Sequence, residues 1–205
     1  MFSDFFARLG FGRESQPEPT PSVERFAIRG IAVEVTNTRP DIATADVVER
    51  LEEAIALIEA YQPWRWRHVV EDVRAIRVER YACRGAFIPS ERTIITELTF
   101  LARRDISAAP VASSILHEGV HARVHAMSEA LGEWTGAGMQ SRDSAKEERV
   151  CRRAELAFGT ALPFDLGAPV MERAIASLEL DDVGVAPRVN WNEAQRRINE
   201  VDRRA

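Results

Sequence analysis

In RFAIRGIAVEVT (25–36) apolar and polar positions alternate: Phe26 and Ile28, a slip at Gly30, then Ile31, Val33 and Val35. Period-two alternation describes a half-buried strand, and the slip predicts either a bulged strand or two short ones. From about residue 41 to 61 the spacing turns helical. Val47, Val48, Leu51, Ile55 and Ile58 share one face, and Pro63 is expected to stop the helix. Trp64 and Trp66 follow and are read as core or edge packing. Alternation returns at Ile76 and Val78. ACRGAFIP and TIITEL then flank the turn-like PSER, which predicts a hairpin over 82–97.

The longest helical pattern covers about 105–131, with Val111, Ile115, Val120, Val124, Met127 and Leu131 as its expected buried face. GEWTGAGMQS (132–141) breaks it. A second helix over roughly 143–161 places Val150, Cys151, Ala154, Ala157 and Phe158 on one side. Further helical segments are expected near 168–180 and 190–203, the last with Asn190 three residues before Glu193 as a capping-box-like start. Upstream, Phe2, Phe5, Phe6 and Leu9 recur at helical spacing, and ESQPEPTPS (14–22) has the composition of a linker. The expected organisation is therefore an N-terminal amphipathic segment and linker, 1–22, followed by one domain, 23–205. The amphipathic segment either packs on that domain or makes peripheral membrane contact.

Composition removes several function classes. The chain has 205 residues, 45% hydrophobic and 29% charged, with a formal net charge of −5 and arginines spread along its length. No basic stripe of the kind that binds nucleic acid is present. No run of about 18 apolar residues would cross a bilayer, and the first residues lack the pattern of a secretory signal. Cys83 and Cys151, the two cysteines, are far apart and form no disulfide framework; both are expected as small buried hydrophobes. A cytoplasmic protein is the default expectation, with oligomeric state left open.

Three of the four histidines lie in SSILHEGVHARVH (113–125). In H-E-x-x-H the histidines are one helical turn apart on one face, so His117 and His121 can both reach one zinc ion. Glu118, on the adjacent surface, is placed to act as general base on a water. Chance produces such a motif in roughly one chain of this length in 200, so its surroundings matter: Ile115, Leu116 and Ala122 make it apolar. Gly119 costs about 1 kcal/mol against Ala in mid-helix, and a close approach to the hairpin would account for it. His125 lies about 12 Å along the axis from His117. It is excluded from a shared metal and expected first to be exposed, with orienting a ligand or facing substrate as the alternatives. Val124 and Met127 stand where a metzincin needs Gly and His.

A catalytic zinc needs a third protein ligand. Glu129 is too far along the same helix, and Glu133 would have to fold back. KEERVCRRAELAF offers Glu147, Glu148 and Glu155. Glu147 falls near the centre of the apolar face, and Glu148 shares a flanking stripe with Cys151 and Glu155. Burial pattern alone slightly favours Glu147. Glu155 and Arg153 would either orient a ligand or form ion pairs on a solvated face. Cys151 is a packed thiol or, alternatively, a fourth ligand.

Hairpin, HEGVH helix and Glu-bearing helix, over about residues 80–165, together resemble a minimal gluzincin-type HExxH zinc metallopeptidase. More narrowly, Glu148, Cys151, Arg153, Glu155, Ala157 and Phe158 after an HExxH helix are similar to the pattern of small bacterial zinc peptidases. The NExxD form of the best-known gluzincins is absent. The resemblance implies an α+β, zincin-like domain: a small, mostly antiparallel sheet packed on the HExxH helix and further helices. It also implies Zn2+ as cofactor, Glu148 as third ligand beside His117 and His121, and a peptide or protein substrate hydrolysed with Glu118 as base. A hairpin strand would pair with extended substrate, and Tyr81, Arg123 and His125 are candidate oxyanion donors. The rival expectation is a non-catalytic zinc-binding domain that serves as a partner-binding module.

Overall fold

The computed structural model describes residues 23–132, 141–187 and 190–204. The segment and linker at 1–22, Glu133 and most of the glycine-containing break lie outside the described residues. The slip at Gly30 is a hairpin turn. Strands β1 (Val23–Ile28) and β2 (Ile31–Thr36) pair antiparallel across Arg29 and Gly30, both at positive φ. A two-residue turn of that hand matches the twist of the strands it joins.

Helix α1 (Thr44–Tyr61) buries Val47, Leu51, Ala54, Ile55 and Ile58, the expected face with Val48 at its margin. Pro63 ends α1 but also opens α2 (Pro63–Asp72), a helix the pattern did not predict. Proline at the first helical position lacks only an N–H that would have had no partner there. Trp66 of α2 is core, whereas Trp64 stays exposed. The chain returns as β3 (Ala75–Glu79). It then runs through β4 (Gly85–Ile88) and β5 (Thr93–Glu97), an antiparallel hairpin closed by a 3-10 turn at Pro89–Glu91.

The strand order is β1-β2-β3-β5-β4. The sheet is mixed rather than mostly antiparallel, because β2–β3 and β3–β5 are both parallel. The first parallel pair follows from the α1–α2 crossover. The second arises because β4 folds outward, leaving β5 to pair with β3. Thus β4 is the edge strand.

Short α3 (Leu98–Leu101) is capped by Glu97, whose carboxylate accepts from the Phe100 N–H at 2.7 Å. The central helix α4 (Ala109–Ala130) starts at Ala109, with Pro110 in its first turn, rather than at 105. It is buried almost all round from Ala109 to Val120, packed by α1, α2, α5 and the β4–β5 hairpin. Its expected apolar stripe holds for Val111, Ile115 and Val120 and fails at Met127 and Leu131, which are exposed. α5 (Ser141–Ala161) buries Cys151, Ala154 and Phe158 but leaves Val150 out. α6 (Phe164–Leu178), the short α7 (Asp182–Val185) and α8 (Trp191–Arg204) complete the described chain. Asn190 caps α8 as expected, accepting from the Glu193 N–H at 3.2 Å.

Gly119 permits a close approach, but to α2 and not to the hairpin. A Cβ there would stand 2.5 Å from Val69 Cγ2. The hairpin makes its own close approach through Gly85, where a Cβ would meet Ser114 Oγ at 2.9 Å and Glu118 Oε1 at 3.2 Å. Edge strand β4 is thereby pressed onto the HExxH turn.

Candidate metal centre and cleft

α4 and α5 pack antiparallel, so early residues of one meet late residues of the other. His117 and His121 project one turn apart toward α5, with ring centroids 4.9 Å apart. Each ring is held at its Nδ1 by a different carboxylate of α5. Glu155 Oε1 is 2.5 Å from His117 Nδ1, and Glu147 Oε1 is 2.5 Å from His121 Nδ1. A carboxylate accepts, so both Nδ1 atoms carry the proton and both Nε2 lone pairs are left to face inward.

They face each other. The Nε2 atoms are 3.1 Å apart, and the Glu148 carboxylate stands 3.3 Å from each. Three acceptors at that separation with no donor between them repel unless a cation lies among them. Tetrahedral zinc with ligands at about 2.0–2.1 Å sets ligand–ligand edges of about 3.3 Å, so the donor set fits such an ion. The same demand for positive charge appears in the protonation equilibria. Burial opposes the charged form of His117, yet hydrogen bonds to Glu148 and Glu155 raise its pKa above the usual value. His121, also opposed by burial, is raised further by Cys151, Glu147 and Glu148. Burial raises the pKa of Glu148, but hydrogen bonds from the two histidines more than reverse this and hold it well below the carboxylate range.

Cys151 belongs to the same cluster. It is fully buried, and with His117 and His121 it forms a set whose donor atoms all lie within 4.8 Å of one another. That set could also hold a metal ion. Burial keeps the thiol protonated by raising its pKa. Cys83 sits across the site with its Sγ 3.0 Å from the Gly85 carbonyl oxygen; burial pushes its thiol up to about 11.

Behind His117 lies a network the sequence only partly disclosed. Glu155 is 2% exposed, which excludes the solvated-face alternative. Besides His117, it accepts from Ser113 Oγ at 3.2 Å and from Arg152 at 2.6 Å. Arg152 also stands 3.9 Å from Glu148. The arginine that ties these groups together is therefore Arg152; Arg153 is exposed. A signal was available in the spacing, since Arg152 is four residues after Glu148 and three before Glu155. Ser113, one turn before His117, carried the same kind of signal.

Glu118 is buried at 8% exposure, and among the described residues its carboxylate makes no hydrogen bond or ion pair. Burial raises its pKa, partly countered by the neighbouring histidines. It opens on a cleft of about 460 Å³ lined also by Gly85, His117, Glu148, Arg152 and Arg173.

His125 is buried, not exposed: its ring packs edge-on against Phe87 at 5.8 Å, and its Nδ1 is 3.5 Å from Glu129. Burial follows from the β4 approach that Gly85 allows. Arg123 is turned away toward Asp72, at 3.2 Å. Tyr81 is half-buried and feels the charge of Glu118.

A scan against protein-family models finds no match to this chain, and searches of curated proteins and of solved structures find none either. No helix among the described residues is long and apolar enough to cross a membrane. The fold is α+β with a mixed five-stranded sheet, and the functional reading rests on the site itself.

Proposed function

We propose that the chain is a zinc-dependent metallopeptidase of minimal, zincin-like build. The observation that carries this reading is the convergence of His117 Nε2, His121 Nε2 and the Glu148 carboxylate at 3.1–3.3 Å beside an unpaired Glu118. His117, His121 and Glu148 would hold the ion. Glu148 is preferred to Cys151 because it touches both Nε2 atoms and lines the cleft, whereas Cys151 is sealed in the core. A zinc ion held by three ligands lowers the pKa of water toward neutrality and polarises a carbonyl.

The chain's own residues do the rest. Glu118, without a competing partner, accepts the proton of the attacking water and passes it to the leaving amine. Its raised pKa suits both halves of that transfer. Glu155 and Glu147 fix the ring orientation of His117 and His121 and keep their protons on Nδ1. Gly85 brings edge strand β4 to the cleft, where its free backbone groups can pair with an extended peptide.

The test is a Glu118→Gln variant assayed beside wild type for bound zinc and for hydrolysis of a peptide library. The expected result is full zinc occupancy with hydrolysis lowered about 10²–10⁴-fold. Wild-type protein purified without zinc, or a Glu118→Gln variant of undiminished activity, would refute the reading.

A further inference from the structure

The cleft is not fully used by this chemistry. Arg84, Arg152 and Arg173 line it together with Glu118, Glu148 and Glu155. Arg152 is committed to Glu155, and Arg84 lies over the Phe100 ring at 5.0 Å. Arg173, carried in by α6, is half-buried, and among the described residues it makes no hydrogen bond or ion pair. A guanidinium offers five donors in a planar fork, and one that faces a cleft with no acceptor bonded to it can take its acceptor from a ligand. Three arginines balance three glutamates, so a bound dication leaves this cleft net positive. The carboxylates of Glu155 and Glu118 act on Arg173 through their charge, but neither bonds to it.

We propose that Arg173 determines the specificity of this cleft by receiving a carboxylate of the substrate in a bidentate pair. The match is geometric as well as electrostatic, since the guanidinium fork and a carboxylate are both planar. The carboxylate is either the free C-terminus of the peptide or an Asp or Glu side chain near the cleaved bond. This inference rests on the peptidase reading and names its substrate class.

The experiment uses full-length, zinc-loaded Glu118→Gln protein and three fluorescent hexapeptides of one apolar sequence. One has a free C-terminal carboxylate, one a C-terminal amide, and one the amide with a single internal Glu. Polarisation titrations are expected to show at least one carboxylate peptide binding about tenfold or more tightly than the neutral amide. Adding Arg173→Gln should erase that preference and leave the neutral peptide's Kd unchanged; Arg173→Lys should retain part of it. Which carboxylate peptide wins separates a terminal from a side-chain carboxylate. Equal binding of all three, no binding of any, or a preference that survives Arg173→Gln would overturn the assignment. The peptides are incubated in parallel with wild-type protein and followed by mass spectrometry. Selective, Arg173-dependent binding with no cleavage would uphold the Arg173 assignment and sink the peptidase reading.

Discussion

Glu147 and Glu148 are consecutive residues of one helix, yet they reach opposite nitrogens of the His121 ring. Glu147 takes Nδ1 at 2.5 Å, and Glu148 stands 3.3 Å from Nε2. Replacing each by Gln keeps volume and helix propensity nearly constant, so the pair of variants isolates what each carboxylate does for the metal. Loss of an outer-shell partner of a ligand histidine typically lowers metal affinity 10–100-fold, about 1.4–2.7 kcal/mol. Glu147→Gln should fall at the low end, because an amide oxygen still accepts from Nδ1–H. Glu148→Gln removes the charge of the proposed third ligand, which stands 3.3 Å from both Nε2 atoms. Its loss should exceed about 10³-fold, or more than about 4 kcal/mol. Cys151→Ala, which removes a packed thiol, should leave affinity within about threefold of wild type. Competition against a chromophoric chelator at fixed pH measures all three. Greater loss in Glu147→Gln than in Glu148→Gln would make Glu147 the ligand. A Cys151→Ala loss matching that of Glu148→Gln would place the ion on His117, His121 and Cys151 instead.

Three further outcomes are expected. Glu155→Ala strands Arg152, Ser113 and the His117 Nδ1–H in a buried site and should cost about 3–5 kcal/mol in chemical denaturation, with Glu155→Gln costing less; a change below 1 kcal/mol would refute the network. Burial raises the Glu118 pKa, so the fold disfavours its ionised form above the unfolded value. Metal-free Glu118→Gln should therefore melt higher than metal-free wild type at neutral pH, and a lower Tm would contradict the assignment. Gly119→Ala gains about 1 kcal/mol of helix propensity but forces a Cβ onto Val69, an overpacking cost of about 1–3 kcal/mol. Its Tm should fall, and Val69→Ala in the same chain should recover part of the loss.

What was legible in the sequence was local. The HExxH face, the α1 stripe, the 82–97 hairpin and the Asn190 cap each depend on residues within a few positions of one another, where backbone periodicity fixes which side chains meet. Gly119 was correctly marked as a close approach, though its partner is α2. The third donor was narrowed to Glu147 and Glu148 but not decided by periodicity, because both lie within 100° of the same helix face. Only the α4–α5 register distinguishes them, setting Glu147 behind a histidine ring and Glu148 in front of two. The same register buries Glu155 against His117 and turns Arg152, not Arg153, inward. Parallel pairing of β2, β3 and β5, burial of His125 under β4, and the position of Arg173 also join residues remote in sequence. Their contacts are set by how helices and strands pack, which no local pattern records.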